Sequence, residues 1–185
     1  MTLTKTPVCD FGKKAEDFQL KSINNKIISL NDIIGKNGTL IMFISNHCPY
    51  VKAIIEELVH DCNQLTKYGI CSVAIMSNDT KEYPEDSFDN MIKFANFYKF
   101  NHLEYLIDET QEIAKKYNAV CTPDFFGYNR KLELQYRGRI RELKNLEPIK
   151  NNESDLISAM KIISQTQKGP KKQIPSMGCN IKWFK

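Results

Sequence analysis

Two short runs without a charged residue, TLIMFIS at 39–45 and ICSVAIM at 70–76, do most to limit what this chain can become. Each has the length of a strand and lacks the alternation of a half-exposed one, the pattern of strands buried on both faces. Between them, from Tyr50 to Lys67, apolar residues recur at Val51, Ile54, Ile55, Leu58, Cys62 and Leu65, a helical spacing that Gly69 ends. Strand, helix, strand in a buried sheet predicts a right-handed parallel unit.

The flanking segments extend it. FQLKS and KIISLND around INN read as an N-terminal hairpin. An amphipathic helix is expected near 86–99, with Phe88, Met91, Ile92, Ala95 and Tyr98 on one face, then a strand at 103–108 and a short helix near 110–118 capped by Asp108 and Glu109. DFFGYN and LELQYRGRI form a hairpin around Arg130, with Leu132, Leu134 and Tyr136 inward and Glu133, Gln135 and Arg137 outward. A last helix covers about 153–166, with Leu156, Ala159, Met160 and Ile163 as its stripe. The expected class is α/β: a central mixed sheet flanked by helices.

At 185 residues, 42% hydrophobic and 26% charged, the chain suits one globular domain. We read 1–167 as that domain and 168–185 as a basic tail, since five lysines and no acidic residue fall in the last eighteen positions. Without a basic stripe interleaved with aromatics, nucleic acid is not an expected partner. No apolar run approaches the ~20 residues of a membrane span, and MTLTKTPVCDFGKK lacks the apolar centre of a secretory signal. Both point to a cytoplasmic protein whose six cysteines are mostly reduced.

Among those cysteines Cys48 stands apart. It lies where a buried strand gives way to a helix, and in α/β sheets reactive groups collect at such junctions. The orphan amides and dipole of the helix favour an anion, so a thiolate there is expected to form more readily. Pro49 suits the first helical turn and His47 could add positive character.

CPYV resembles the C-P-x-C site of thioredoxin-like and glutaredoxin-like proteins, with Val51 in place of the second cysteine. VCTPDFF at 120–126 resembles the loop carrying the cis-proline of that superfamily, with Pro123 on the proline and Thr122 before it. Together NHCPYVKA, YPEDSFDNM, DETQEIAKKYNAVCTPDFF, YRGRI and PSMGCNIKW resemble, over almost the whole chain, the redoxin or peroxiredoxin-like group near the alkyl hydroperoxide reductases and thiol-specific antioxidant proteins. The resemblance implies a thioredoxin-like fold with a redoxin-type insertion. Cys48 would be the attacking thiol, His47, Pro49 and Tyr50 would flank the substrate, and the Thr122 backbone beside Pro123 would align a substrate disulfide as an added strand. The chain departs from the peroxidatic P-x-x-x-T-x-x-C pattern, with Ile41 in the Pro slot and Ser45 in the Thr slot. The activating arginine slot falls near Pro123, and Arg137 and Arg139 are expected to face solvent.

With Val51 unable to resolve a mixed disulfide, another thiol must. Cys121, two residues before Pro123, and Cys179, in a tail that Ile181 and Trp183 could anchor, are the candidates within the chain. Cys62 and Cys71 read as core, and Cys9 as uninformative. The cysteine spacings of 39, 14, 9, 50 and 58 fit no zinc module, and no phosphate loop or dinucleotide fingerprint occurs, so no cofactor is expected. Three functions follow: a thiol–disulfide oxidoreductase, with glutathione or a thioredoxin system as possible partners; a peroxiredoxin-like thiol peroxidase; or a non-catalytic binding or iron–sulfur carrier module, for which His47, Cys48, Cys121 and Cys179 would be a composite site.

Overall fold

The structure is a computed structural model that describes residues 2–185. Its centre is a seven-stranded mixed sheet in the order β3-β2-β6-β5-β4-β8-β9. The strands are β2 (Gln19–Ser22), β3 (Ile27–Ser29), β4 (Gly38–Phe43), β5 (Ile70–Met76), β6 (Glu104–Ile107), β8 (Asp124–Asn129) and β9 (Leu134–Tyr136). Strands β4, β5 and β6 run parallel, β8 pairs antiparallel with β4, and β2–β3 is the N-terminal hairpin. The two apolar runs are the two middle strands, and their residues Leu40, Ile41, Met42, Val73, Ala74 and Ile75 are all inaccessible.

Helix α1 (Pro49–Leu65) crosses from β4 to β5; a 3-10 turn, Thr66–Tyr68, continues it to Gly69, which at φ 70° takes the left-handed turn only glycine enters without strain. Helix α2 (Phe88–Tyr98) leads into β6. The short helix α3 (Glu112–Lys116) has its first amides held by the Asp108 carboxylate, which accepts from Ala114 N at 2.9 Å. Helix α4 (Asp155–Thr166) buries Leu156, Ala159, Met160 and Ile163 as its spacing predicts. Two apolar clusters lie on opposite faces of the sheet: α1 and α4 pack with one, and Phe43, Tyr117 and Phe126 lie in the other.

Ser154 caps α4, its Oγ accepting from Ile157 N at 3.1 Å and donating to Asp61 Oδ2 at 2.5 Å. Asp61 is buried in α1, and burial, above all, raises its carboxyl to about 6. Because this folded value lies above the unfolded one near ~3.9, the stability it contributes is full below about pH 4 and lost as pH rises through about 6. We expect unfolding stability to fall by roughly 1–3 kcal/mol across that window. In Asp61→Asn, which retains an acceptor for Ser154, the dependence should flatten, as denaturant titrations at several pH values would show.

Four expectations are corrected. Cys71 is exposed on β5, not core: an apolar run marks a buried strand but not which end overhangs its cover. Gln135 and Arg137 are buried, not outward, because segments 12–15 and 169–176 cover that face. Gly12 N donates to Leu134 O, Gln173 Nε2 to Gln135 O, and Arg137 N to Gln173 Oε1. Arg139, also expected in solvent, is a partly buried partner of Asp155 at 2.7 Å. Trp183 is 39% exposed and does not anchor the tail; Ile181, at 1%, does.

Least foreseen is a second, three-stranded sheet of β1 (Leu3–Lys5), β12 (Met177–Asn180) and β7 (Cys121–Thr122). A small hairpin of β10 (Leu143–Lys144) and β11 (Glu147–Pro148) completes the set. In the three-stranded sheet the C-terminal segment is the middle strand, antiparallel to both neighbours, with Leu3 and Thr122 on either side of Cys179.

Candidate active site around Cys48

Cys48 is the N-cap residue of α1, extended at φ −66° and ψ 121°, with Pro49 opening the helix. Its side chain is fully buried, at 0% exposure. The sulfur takes no capping bond from the helix amides. Instead Sγ donates to Thr122 O at 3.0 Å, a bond that requires the thiol proton. The sequence leads one to expect the helix to hold the sulfur; the tertiary fold hands it to the loop across the sheet. The Thr122–Pro123 peptide is cis, as the resemblance implies, and Thr122 Oγ1 meets Ser45 Oγ at 3.3 Å.

The edge of β7 where a substrate strand was expected carries β12 instead. Cys179 is in register with Thr122 and touches the Cys48 side chain: burial, then a hydrogen bond with Cys48, pushes the Cys179 thiol up to about 12. Cys121 is buried beside them, its thiol raised by burial first and then by Asp124 and Cys48. Neighbours on a strand face opposite ways, and Cys48 and Cys179 share one apolar cluster to which Cys121 does not belong. Cys121 Sγ lies 3.6 Å from Pro123 O. The geometry thus separates the two candidate partners: Cys179 meets Cys48 and Cys121 faces away. Gly178 makes the approach possible, since a Cβ there would stand 2.0 Å from Thr122 O.

His47 is organised by a residue that sequence reasoning named only within the YPEDSFDNM motif. Asp86, at 0% exposure, accepts from His47 Nδ1 at 2.7 Å, Asn46 N at 2.7 Å, His47 N at 3.3 Å and Asn78 Nδ2 at 2.8 Å. Four donors satisfy the buried carboxylate. His47 also stacks on Tyr83, with ring centroids 5.3 Å apart, and its buried Nε2 has no hydrogen-bond partner among the described residues. Asn46 is held by Tyr105 OH at 2.9 Å and by Glu85 O at 3.1 Å. The only advance signal for Asp86 is that a histidine abutting a buried cysteine needs an acceptor; nothing local marks which acid supplies it.

The same network clasps the tail. Asn78 Oδ1 accepts from Lys182 N at 2.9 Å, and Lys182 O accepts from Asp79 N and Gln111 Nε2 at 2.8 Å each. Phe184 N donates to Gln111 Oε1, and Ser176 Oγ to Pro123 O at 2.8 Å. Pro49 and Tyr50 are partly exposed at the start of α1, and Tyr50 and Pro123 both line a small cavity beside the tail. Among the described residues, no group of three His, Cys, Asp or Glu side chains is disposed to hold a metal ion.

Beneath the loop, Asp124 and Arg137 form a buried pair, with Nε at 3.3 Å from Oδ1 and Nη2 at 3.0 Å from Oδ2. Arg137 also donates to Asn118 O at 2.7 Å and lies 4.5 Å from the Phe126 ring centre.

No protein in the curated set compared matches this chain. Solved structures do. An uncharacterized conserved protein from Geobacillus kaustophilus is 38% identical with a TM-score of 0.91, covering 100% of this chain and 97% of its own. A hypothetical protein from Sinorhizobium meliloti 1021 is 33% identical, with a TM-score of 0.89 and 98% of each chain covered. A thiol:disulfide interchange protein of the thioredoxin family from Chlorobium tepidum TLS is 16% identical, with a TM-score of 0.63 over 83% of this chain and 97% of its own, a likeness of fold. The AhpC/TSA family profile matches residues 11–143. That span holds the Cys48 junction, the Asp86 hub and the cis-proline loop, and the chain belongs to the AhpC/TSA family.

Proposed function

We propose that this protein is a thiol–disulfide oxidoreductase in which Cys48 attacks and Cys179 resolves. The observation that carries the reading is their contact: the tail delivers a second thiol to the sulfur that lost its C-x-x-C partner to Val51. In the first step the Cys48 thiolate attacks one sulfur of a substrate disulfide, forming a mixed disulfide and expelling one thiolate. In the second the Cys179 thiolate attacks Cys48 Sγ, the Cys48–Cys179 bond forms, and the second substrate thiolate leaves. Two protein protons pass to the two departing thiolates. An external thiol, glutathione or a thioredoxin-type dithiol, then reduces the protein disulfide, which places the cycle in a reducing compartment such as the cytoplasm. Thr122 O marks where the Cys48 proton rests before reaction.

Family membership favours a second reading, peroxidase chemistry on the same pair. Cys48 would be oxidised to a sulfenic acid, and Cys179 would displace water from it.

The pair itself is tested by mapping. Reduced protein treated with one equivalent of hydrogen peroxide, then alkylated and digested without reduction, should yield a Cys48–Cys179 peptide. Alkylation of all six cysteines would remove the reading. A Cys48–Cys121 peptide would transfer the resolving role.

A further inference from the structure

Resting on that reading, we infer that the site takes low-mass disulfides and excludes disulfides carried by polypeptides. A polypeptide would have to dock as an extended strand along β7, the general route by which a sheet edge captures a peptide. Here that edge is filled by β12, whose other edge is closed by β1. The strand is secured beyond its ladder as well: Thr6 and Ser176 share three bonds on one side, and Asn78, Asp79 and Gln111 hold Lys182 and Phe184 on the other. Opening the edge for a polypeptide therefore means breaking a sheet, a latch and the contact that brings Cys179 to Cys48.

A smaller way in remains. Beside cis-Pro123 lies a cavity of about 220 Å³, walled by Tyr50, Pro123, Arg139, Ile140, Ser176 and Met177. Drug-sized ligands occupy roughly 300–1,000 Å³, so this space suits a small organic disulfide and is closed to a protein loop. Ile54, Ile140 and Leu143 give it an apolar side for the carbon skeleton, and Arg141 and Glu142 a charged one. Arg139, though bonded to Asp155 and Glu142, stays partly exposed at its rim. Tyr50 and Pro123 are the cavity residues nearest in sequence to Cys48 and Thr122; a disulfide held there is the one Cys48 attacks in this reading, and both of its thiols leave by the route just given, with Cys179 retained at the site throughout.

The test is a single-turnover experiment on the reduced full-length protein, following thiol release with bis(2-hydroxyethyl) disulfide and with insulin. Each rate is divided by that of free cysteine on the same disulfide. A strand open about one per cent of the time slows its competitor about 100-fold, so the small disulfide should lead insulin by about 100-fold or more. Met177→Trp, at a partly exposed strand position that lines the cavity, should slow the small disulfide by about 10-fold, the scale of losing a well-placed entry. Gly178→Val, whose side chain cannot fit against Thr122 O, should narrow the gap by freeing the edge. Equal normalised rates in the unaltered protein would overturn the inference, as would an unchanged small-disulfide rate in Met177→Trp. If Cys48→Ser reacted as fast as the unaltered protein, the attacking role of Cys48 would fall instead. A rate that depends on Cys48 but does not discriminate overturns the size selection alone.

Discussion

Replacing Cys48 with serine is expected to lower single-turnover reduction of a small disulfide by about 1,000-fold or more, because a hydroxyl at neutral pH supplies almost no nucleophilic anion and the step has no substitute. Cys179→Ser is expected to fail differently. The first attack remains, so one equivalent of substrate thiol is released and the mixed disulfide accumulates on Cys48. The unaltered protein releases two equivalents and ends as an internal disulfide. Intact-mass measurement separates the outcomes, since the variant should carry half of the substrate as an adduct and the unaltered protein should carry none. Release of a second equivalent from Cys179→Ser would show that another thiol, with Cys121 nearest in the fold, completes the reaction. The prediction is sharp because the structure offers Cys48 one thiol in contact: β12 presents Cys179 opposite Thr122, and the alternation of β7 turns Cys121 to the other side.

Arg137→Leu should produce the largest loss of stability, about 3–5 kcal/mol, the cost of leaving one member of a buried ion pair alone. For a chain of this length that is a fall in Tm of roughly 6–20 °C. Asp124 is at 0% exposure, and Arg137 supplies two of its hydrogen bonds while stacking on Phe126. Burial, the main cause, already raises the Asp124 carboxyl, and Arg137 opposes the rise. Removing Arg137 lets it climb further. A carboxyl whose folded value lies above its unfolded one stabilises the fold below the unfolded value and loses that contribution as pH rises through the folded value. The deficit of Arg137→Leu should therefore be greatest at neutral pH and shrink on acidification toward about pH 4, near the ordinary carboxylate value. Thermal melts of both proteins across that range check it; a deficit independent of pH would show that lost packing, not the orphaned carboxylate, sets the cost.

Most of the central sheet is legible because its information is local. The unbroken apolar runs can satisfy their side chains only between two covered faces, and they became β4 and β5. The helical stripes became α1, α2 and α4, and Ser154, Asp108 and Gly69 close or cap segments as their chemistry dictates. The Cys48 junction and the Thr122–Pro123 loop could be named from motifs of a few residues. What was misjudged depended on coverage. Alternation correctly gave Leu134 and Tyr136 to the core, but periodicity measures which face of a strand is apolar, not whether a later segment will lie over the other. Residues 169–176 do so, and Arg137 becomes a buried partner of Asp124 in place of a surface charge.

The sequence by itself determined a parallel strand–helix–strand core with a cysteine set at its strand-to-helix junction and no second cysteine three residues on. It did so because strand burial, helical period and helix capping act within about ten neighbouring residues. Only the tertiary structure decided which thiol touches Cys48, which acid orients His47, and what occupies the edge of β7. Those choices join residues 131, 39 and 57 positions apart, between Cys48 and Cys179, His47 and Asp86, and Thr122 and Cys179. No local pattern encodes such pairs. They arise when backbone groups left over at a sheet edge must find partners, and here the nearest unpaired strand is the chain's own end.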